Sequence, residues 1–534
     1  MPTITLDKKD ILNMLGKKVS DAELKDRISM IGTDLESMDD KEIVVEVFPD
    51  RPDMLTAAGF AKALSSFMGI KIGLENYKIN KSSYEVKVDK KVDKIRPKMV
   101  CAVVKNVKLN ELIIQYLMQV QEKLHKTLGR DRRKLSIGVY DLDTVKFPLT
   151  YTTKPRDFKF IPLEMEGEMD VNEILGEHPK GVDYAHLLEG VKEVPIWIDD
   201  NQKVLSMPPI INSEDTRVAV NTKNLFIDVT GLDENACEQA LNILVSGFSE
   251  RGADIYSVNV NGKIYPNLEA RPMKLSLEYV NKVLGLSLKE NEIKKLLERM
   301  GYNYSNGVAK IPCYRADVLS EIDLVEDIAV AYGYENFKPE LSDFGCIAEE
   351  NKFEAFKNKV SEILVGFGFL ETNTYNLAKK DDQTKNMKVN MKLVEIANAL
   401  NEEYDVLRAW MIPSLLDVFK NNRQYEVPQK IFESGAVFTP AEKNRLGCLI
   451  CDTKVTYTEA RQILDALFNA LGIEGKYAST VHDSFIPGRV ARVSIKGKDV
   501  AYVGEIHPEV LNNFSLENPV VGFELNLSEL FELM

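Results

Sequence analysis

The 534-residue chain contains no G-x-x-x-x-G-K-[ST] phosphate loop, no G-x-G-x-x-G turn, no G-x-S-x-G elbow and no H-E-x-x-H pair. The common self-contained catalytic devices are therefore excluded. No apolar run approaches the roughly 18 residues of a membrane span, and no charged-then-apolar leader precedes Leu6, so a cytoplasmic protein without a membrane partner is expected. The five histidines, at 125, 178, 186, 482 and 507, show no metal-ligand spacing. Six cysteines, at 101, 237, 313, 346, 448 and 451, are too scattered for a disulfide framework and fit reduced thiols. The close pair Cys448 and Cys451 lies in RLGCLICD, which reads as a buried strand. With no second pair nearby it is structural rather than a zinc or redox motif.

Bases are outnumbered, 68 against 82 acids, and the net charge of −14 argues against a general nucleic-acid coat. Two local basic runs remain: Lys87, Lys90, Lys91, Lys94, Arg96 and Lys98, then Arg130, Arg132, Arg133 and Lys134 beside the strand-like LSIGVYDLD. A solvated face is the commoner meaning of such runs, and an RNA-contacting patch has the same composition.

What is present is a repeat. ILNMLGKKVSDAELKDRISMIG (Ile11 to Gly32) aligns without gaps with VNKVLGLSLKENEIKKLLERMG (Val280 to Gly301), matching Gly16 with Gly285 and Gly32 with Gly301. Further on, FPDRPDMLTAAGFAKALSSFMG (Phe48 to Gly69) meets IPCYRADVLSEIDLVEDIAVAYG, pairing Arg51, Asp53 and Gly69 with Arg315, Asp317 and Gly333. In the second copy Asp317, Asp323, Glu326 and Asp327 gather around the first turns of one predicted helix. Ser320 is its expected N-cap with Asp323 three residues on. Leu324, Ile328 and Ala331 mark the buried stripe, which predicts that Asp323, Glu326 and Asp327 share the opposite face. The first copy carries Gly59, Lys62 and Ala63 at those three places, so the fold itself does not demand the acids. A bound cation is the functional reading. An acidic helix start, stabilised by roughly 0.3–1 kcal/mol per acid from the macrodipole, is the plain alternative.

Length allows about three to four domains. The pattern reads as an α+β multidomain chain: a first repeat-copy domain over 1–85, a basic linker or edge strand to Pro97, an α+β domain over 99–265, the second repeat copy over 271–345, and a further α+β module over 350–534.

LHKTLGRDRRKLSIGVYDLDTVKFPLTY, MPPIINSEDTRV, VLRAWMIPSLLDVFKNN, QKIFESGAVF and FIPGRVARVSIKGKDVAYVGEIHPEVLNNF, together with the repeat pair, carry a resemblance over nearly the whole chain. It resembles the β subunits of phenylalanine–tRNA ligase, of the shorter archaeal and eukaryotic type. The resemblance implies duplicated small α/β domains flanking a tRNA-editing domain, followed by an antiparallel-sheet module like a class II synthetase that has lost its active site. FESGAVF lacks the arginine that a working class II core carries before its glutamate, which makes Arg408 and Glu433 structural.

It further implies an α subunit that binds ATP and phenylalanine and holds the synthetic site, an assembly of two α and two β chains, tRNA(Phe) as a partner, and magnesium on Asp317, Asp323, Glu326 and Asp327. Editing follows from selection limits: a pocket that fits phenylalanine rejects an added hydroxyl only weakly, by roughly a hundredfold in the analogous valine–threonine case. Mischarged tyrosyl-tRNA(Phe) must then be hydrolysed elsewhere. Asn212, Ser213, Asp228 and Thr230 are the candidates, each with a plain alternative as a turn cap or strand end. A free-standing deacylase of mischarged tRNA and a non-enzymatic tRNA-binding scaffold are the competing functions.

Overall fold

The computed structural model describes residues 2–341, 345 and 347–534, so Cys346 lies outside the described residues. The chain forms two compact units, Met1–Glu340 and Leu341–Met534.

Both repeat copies of the first unit share one order of elements. Strand Thr3–Asp7 leads to helices Lys8–Leu15 and Asp21–Met30, strands Thr33–Met38 and Glu42–Val47, and helix Ala57–Phe67. Arg271–Lys274, Leu277–Leu284, Glu290–Arg299, Asn303–Ser305, Val308–Ile311 and Glu321–Tyr332 repeat it. In each copy the last strand is central in a three-stranded antiparallel sheet. The aligned glycines have a common cause. Gly16 and Gly285 end their helices at φ 72° and 65°, and Gly32 and Gly301 turn at 88° and 83°, a left-handed conformation that a Cβ disfavours. The Arg-x-Asp pairs also coincide. Arg51 clasps Asp53 with two hydrogen bonds of 2.9 and 2.8 Å, and Arg315 clasps Asp317 at 2.8 and 2.6 Å.

The middle of the unit has a two-stranded ribbon, Lys159–Phe160 with Met169–Asp170, and two large sheets. One runs Ile79–Asn80, Asp254–Tyr256, Lys98–Lys105, Asn224–Gly231, Leu135–Asp141; the other has seven strands with Glu193–Ile198, Leu149–Pro155 and Glu85–Val88 inside it. The Trp197 ring of the second sheet packs edge-on against Phe226 of the first at 5.8 Å and stacks on Tyr151 at 5.0 Å. This corrects the expected start at residue 99 and the linker reading of the preceding stretch. Glu85–Val88 pairs in parallel with both Leu149–Pro155 and Val258–Val260, so residues 79–88 belong to the middle sheets. Strands of two and four residues flanked by lysines carry too little alternation to be legible alone. Buried side chains from Ile4 to Ala331 form one continuous core, which joins both copies to the middle sheets.

The second unit is built on a seven-stranded sheet, ordered Leu370–Glu371, Gln429–Thr439, Ala441–Cys451, Val520–Asn526, Lys498–Ile506, Phe485–Ile495, Lys476–Ser479. All pairings are antiparallel except the first. Helices Lys352–Gly366 and Tyr457–Leu471 pack on one face and Ile412–Asn421 on the other. Cys448 and Cys451 are three apart on one strand, so they point to opposite faces and enter different cores. Two ligands facing apart cannot share a metal.

Candidate functional site

The site is assembled on paired strands Asn224–Gly231 and Leu135–Asp141, in which Asp228 lies opposite Gly138 and Thr230 opposite Ser136. Alternate residues share a face, so Ser136, Gly138 and Tyr140 join Phe226, Asp228 and Thr230 in one patch. A cleft of about 260 Å³ opens on this patch, lined among others by His125, Arg132, Tyr140, Ser206, Asn212 and Asp228. Gly138 is a requirement of the floor. A Cβ there would fall 2.0 Å from Tyr140 Oη and 2.2 Å from Asp228 Oδ1.

Tyr140 donates to Asp228 Oδ1 at 2.6 Å and shares a 2.7 Å hydrogen bond with the Ser206 hydroxyl. Burial pushes the Asp228 carboxyl up to about 7, against the pull of Tyr140, Trp197 and the Arg96 charge. Burial beside Asp228 likewise raises the Tyr140 phenol well above its ordinary value. The floor therefore presents a carboxyl poised between its two charge states and two hydroxyls, out of bulk water.

Of the four sequence candidates, Asn212 and Asp228 line the cleft and Ser213 and Thr230 do not. Asn212 donates its amide to Val139 O at 3.2 Å. Ser213 is fully buried; its hydroxyl donates to Ile161 O at 3.1 Å and caps the short turn Glu214–Thr216, accepting from Asp215 N at 3.3 Å. Thr230 continues the strand face beyond the cleft, where its hydroxyl accepts from Arg96 Nε at 3.0 Å and meets Ser136 Oγ at 3.2 Å. The turn-cap and strand-end alternatives thus describe these two residues.

The structure adds Tyr140, Ser206, Arg132 and two histidines. Tyr140 was accessible to period-2 reasoning from LSIGVYDLD; Ser206 comes from the other sheet and had no local signal. Arg132 donates to Pro209 O at 3.1 Å and Ile210 O at 2.6 Å and lies over the Tyr184 ring at 4.2 Å, which fixes the PPI segment at the cleft wall. His125 accepts the Ile137 N–H on Nε2 at 2.8 Å, and burial near Arg132 and Arg96 holds it well below its ordinary pKa, hence neutral. His178 Nδ1 accepts from Lys180 N at 3.1 Å while Nε2 lies 3.2 Å from Leu163 O. Neither ring has a free nitrogen acceptor. Of the basic runs, Arg96 and Arg132 turn inward and Lys134 pairs with Asp233 at 3.0 Å, which leaves Arg130 and Arg133 exposed on the loop and Lys87, Lys90, Lys91 and Lys94 exposed in the first run.

The acidic helix of the second copy is Glu321–Tyr332, with Ser320 and Asp323 forming the expected capping box. Asp323 also accepts from Leu319 N at 2.8 Å and Ser320 N at 2.7 Å. Exposed Glu326 accepts from Tyr334 at 2.8 Å. Asp327 does not share their face. It is buried, accepting from Arg315 at 2.7 Å and from the Tyr302 hydroxyl, because the buried side of this helix extends to Val325, Ala329 and Val330. Arg315 thus engages both Asp317 and Asp327, and no group of three or more acids, histidines or cysteines among the described residues is arranged to hold a metal ion.

In the second unit Arg408 and Glu433, exposed by 2% and 3%, are locked together at 2.6 Å. Arg408 also donates to Ala436 O and Thr374 Oγ1, and Glu433 accepts from Thr374. The charges and lone pairs of this pair are thus taken up by each other and by Ala436 and Thr374. No helix among the described residues is long and apolar enough to cross a membrane.

Comparison with known proteins places these parts. Residues 82–261 match the B3/4 domain, 273–334 the tRNA synthetase B5 domain and 345–527 the phenylalanyl tRNA synthetase beta chain CLM domain. A mixed α/β chain made of these pieces is a subunit of an aminoacyl-tRNA ligase. The phenylalanine–tRNA ligase beta subunit of Archaeoglobus fulgidus is 39% identical over 100% of this chain and 99% of that protein, and that of Pyrococcus horikoshii is 38% identical over 99% and 100%. The crystal structure of an N-terminal fragment of the Pyrococcus horikoshii phenylalanyl-tRNA synthetase beta subunit superposes with TM-score 0.60 at 37% identity, covering 62% of this chain and 99% of the fragment. The chain belongs to the phenylalanine–tRNA ligase β-subunit family.

Proposed function

We propose that this chain works with an α subunit in attaching phenylalanine to tRNA(Phe), and that its cleft hydrolyses tyrosyl-tRNA(Phe). The observation that carries the editing reading is the buried Tyr140–Asp228 pair with Ser206 at the floor of a cleft large enough for an aromatic side chain. A phenol reaching this floor meets a carboxyl and two hydroxyls, whereas a phenyl ring offers them no hydrogen bond in place of the water it displaces. A site built to bond a hydroxyl rejects the analogue lacking it by roughly 10⁴–10⁵. With no free imidazole in the cleft, water is positioned by Asn212 and the terminal ribose hydroxyl of the substrate. Arg130 and Arg133 supply positive charge for the RNA backbone near the cleft.

ATP and phenylalanine bind the α subunit in this reading. The closed Arg408–Glu433 pair supports placing synthesis there, in an assembly of two α and two β chains in the cytoplasm, with 350–534 as an inactive class II-like module. The magnesium expectation narrows. Asp317 and Asp327 are engaged by Arg315, so Asp323 and Glu326 would hold a hydrated ion whose remaining ligands come from water or the α subunit.

Deacylation of tyrosyl-tRNA(Phe) by the assembled enzyme tests the editing reading. Asp228→Asn and Asn212→Ala should each slow it without slowing phenylalanylation, and unchanged deacylation in both would remove the cleft from the mechanism. A chain that deacylates fully and never co-purifies with an α subunit would instead be a free-standing deacylase. One that does neither would be a scaffold.

A further inference from the structure

A second cleft, of about 340 Å³, lies between the two repeat copies. The copies are joined there directly: Arg299 donates to Phe67 O at 3.1 and 2.8 Å, and Gly73 N to Glu298 O at 2.7 Å. The cleft walls include Arg51, Lys62, Ser65 and Lys71 from the first copy and Tyr314 and Arg315 from the second.

Two buried groups in these walls, Arg315 Nη1 and Ser65 Oγ, have no hydrogen-bond partner among the described residues. Arg315 is 4% exposed and Ser65 2%. Leaving such a donor unpaired is costly, more so when it is charged. The carboxylates that neutralise the two arginines do not line the cleft: Asp53, Asp317 and Asp327 hold the other guanidinium edges. Of the acids that do line it, Glu250 is tied to Lys62 at 2.5 Å and to Tyr77 at 2.9 Å, and Glu75 is exposed. Lys71 is exposed at the cleft and forms no ion pair among the described residues. Four cationic side chains therefore face two acidic ones.

We propose that this cleft between the copies binds a small molecule through a phosphoryl group. Arg315 Nη1, Ser65 Oγ and the Lys71 ammonium are donor groups on three side chains, and a phosphoryl group offers three peripheral oxygens where a carboxylate offers two. The volume is that of a small-molecule site rather than of one trapped ion. The phosphoryl group comes either from free phosphate or from an organic phosphate such as a nucleotide.

Isothermal titration of the full chain in phosphate-free buffer, with inorganic phosphate and with adenosine monophosphate, tests this. Saturable binding of either probe is expected. Binding weakened roughly tenfold by Lys71→Ala and by Ser65→Ala supports the site, since each removes one charge-assisted hydrogen bond. Lys71 is a surface residue, so its variant separates ligand contact from folding. Tighter binding of the nucleotide identifies an organic phosphate, and equal binding identifies free phosphate. No saturable heat with either probe, or affinity unchanged in both variants, overturns the proposal and leaves the cleft filled with water.

Discussion

Tyr140 and Asp228, held 2.6 Å apart on neighbouring strands, form a buried hydrogen bond whose acceptor titrates near neutrality. A carboxyl raised from 3.8 to about 7 binds its proton more tightly in the folded chain than in the unfolded one. Its contribution to stability is then fully present below pH 4 and lost as pH rises through the folded value, on the order of 4 kcal/mol across that window. Asp228→Asn should flatten this part of the stability profile between pH 4 and 7. Urea unfolding at several pH values checks it, and an unaltered slope counts against a buried, neutral carboxyl.

Gly138→Ala should damage the cleft without removing a polar group. Its Cβ has no room beside Tyr140 and Asp228, so a loss of about 1–3 kcal/mol in stability is expected. Tyrosyl-tRNA deacylation should fall while phenylalanylation holds. Normal deacylation would mean that the floor can move aside.

The acidic helix should divide under mutation. Asp323→Asn with Glu326→Gln should lower magnesium affinity and loosen association with the α subunit while leaving unfolding of the chain nearly unchanged. Asp327→Asn should instead destabilise the chain by about 3–5 kcal/mol, since it weakens a buried partner of Arg315. Calorimetry with magnesium and sedimentation of the complex separate the two. Equal effects from both changes would argue for a purely structural knot.

ATP–pyrophosphate exchange dependent on phenylalanine should be absent from the chain alone and appear when the α subunit is added. The Arg408–Glu433 pair is closed on itself, so Arg408→Met should cost stability, about 3–5 kcal/mol, rather than exchange activity in the complex. Exchange by the isolated chain would return synthesis to it.

Local rules make much of the fold legible in the sequence. The duplicated copies were visible because Gly16, Gly32, Gly285 and Gly301 mark turns that only glycine enters easily, and Ser320 with Asp323 announces a helix start within four residues. The burial of Asp327 escapes the sequence because a three-residue apolar stripe understates a helix packed on two sides, and because the charge that compensates it, Arg315, lies before the helix. Ser206 reaches Tyr140 across 66 residues of sequence, a contact that no periodicity records. Ser213 looked chemical by residue type, and only its bond to Ile161 O shows a turn cap.

The parallel pairing of Glu85–Val88 with Val258–Val260 has a consequence for the order of folding during synthesis. Val88 N waits for Asn261, 173 residues later, before its hydrogen bond can close. Until then the nascent chain carries an open strand edge in its middle sheets, and contacts of such long range form slowly. Ribosome-held chains ending before Asp254 would leave that edge bare, so chaperone capture should peak in that interval and decline once the last strands emerge.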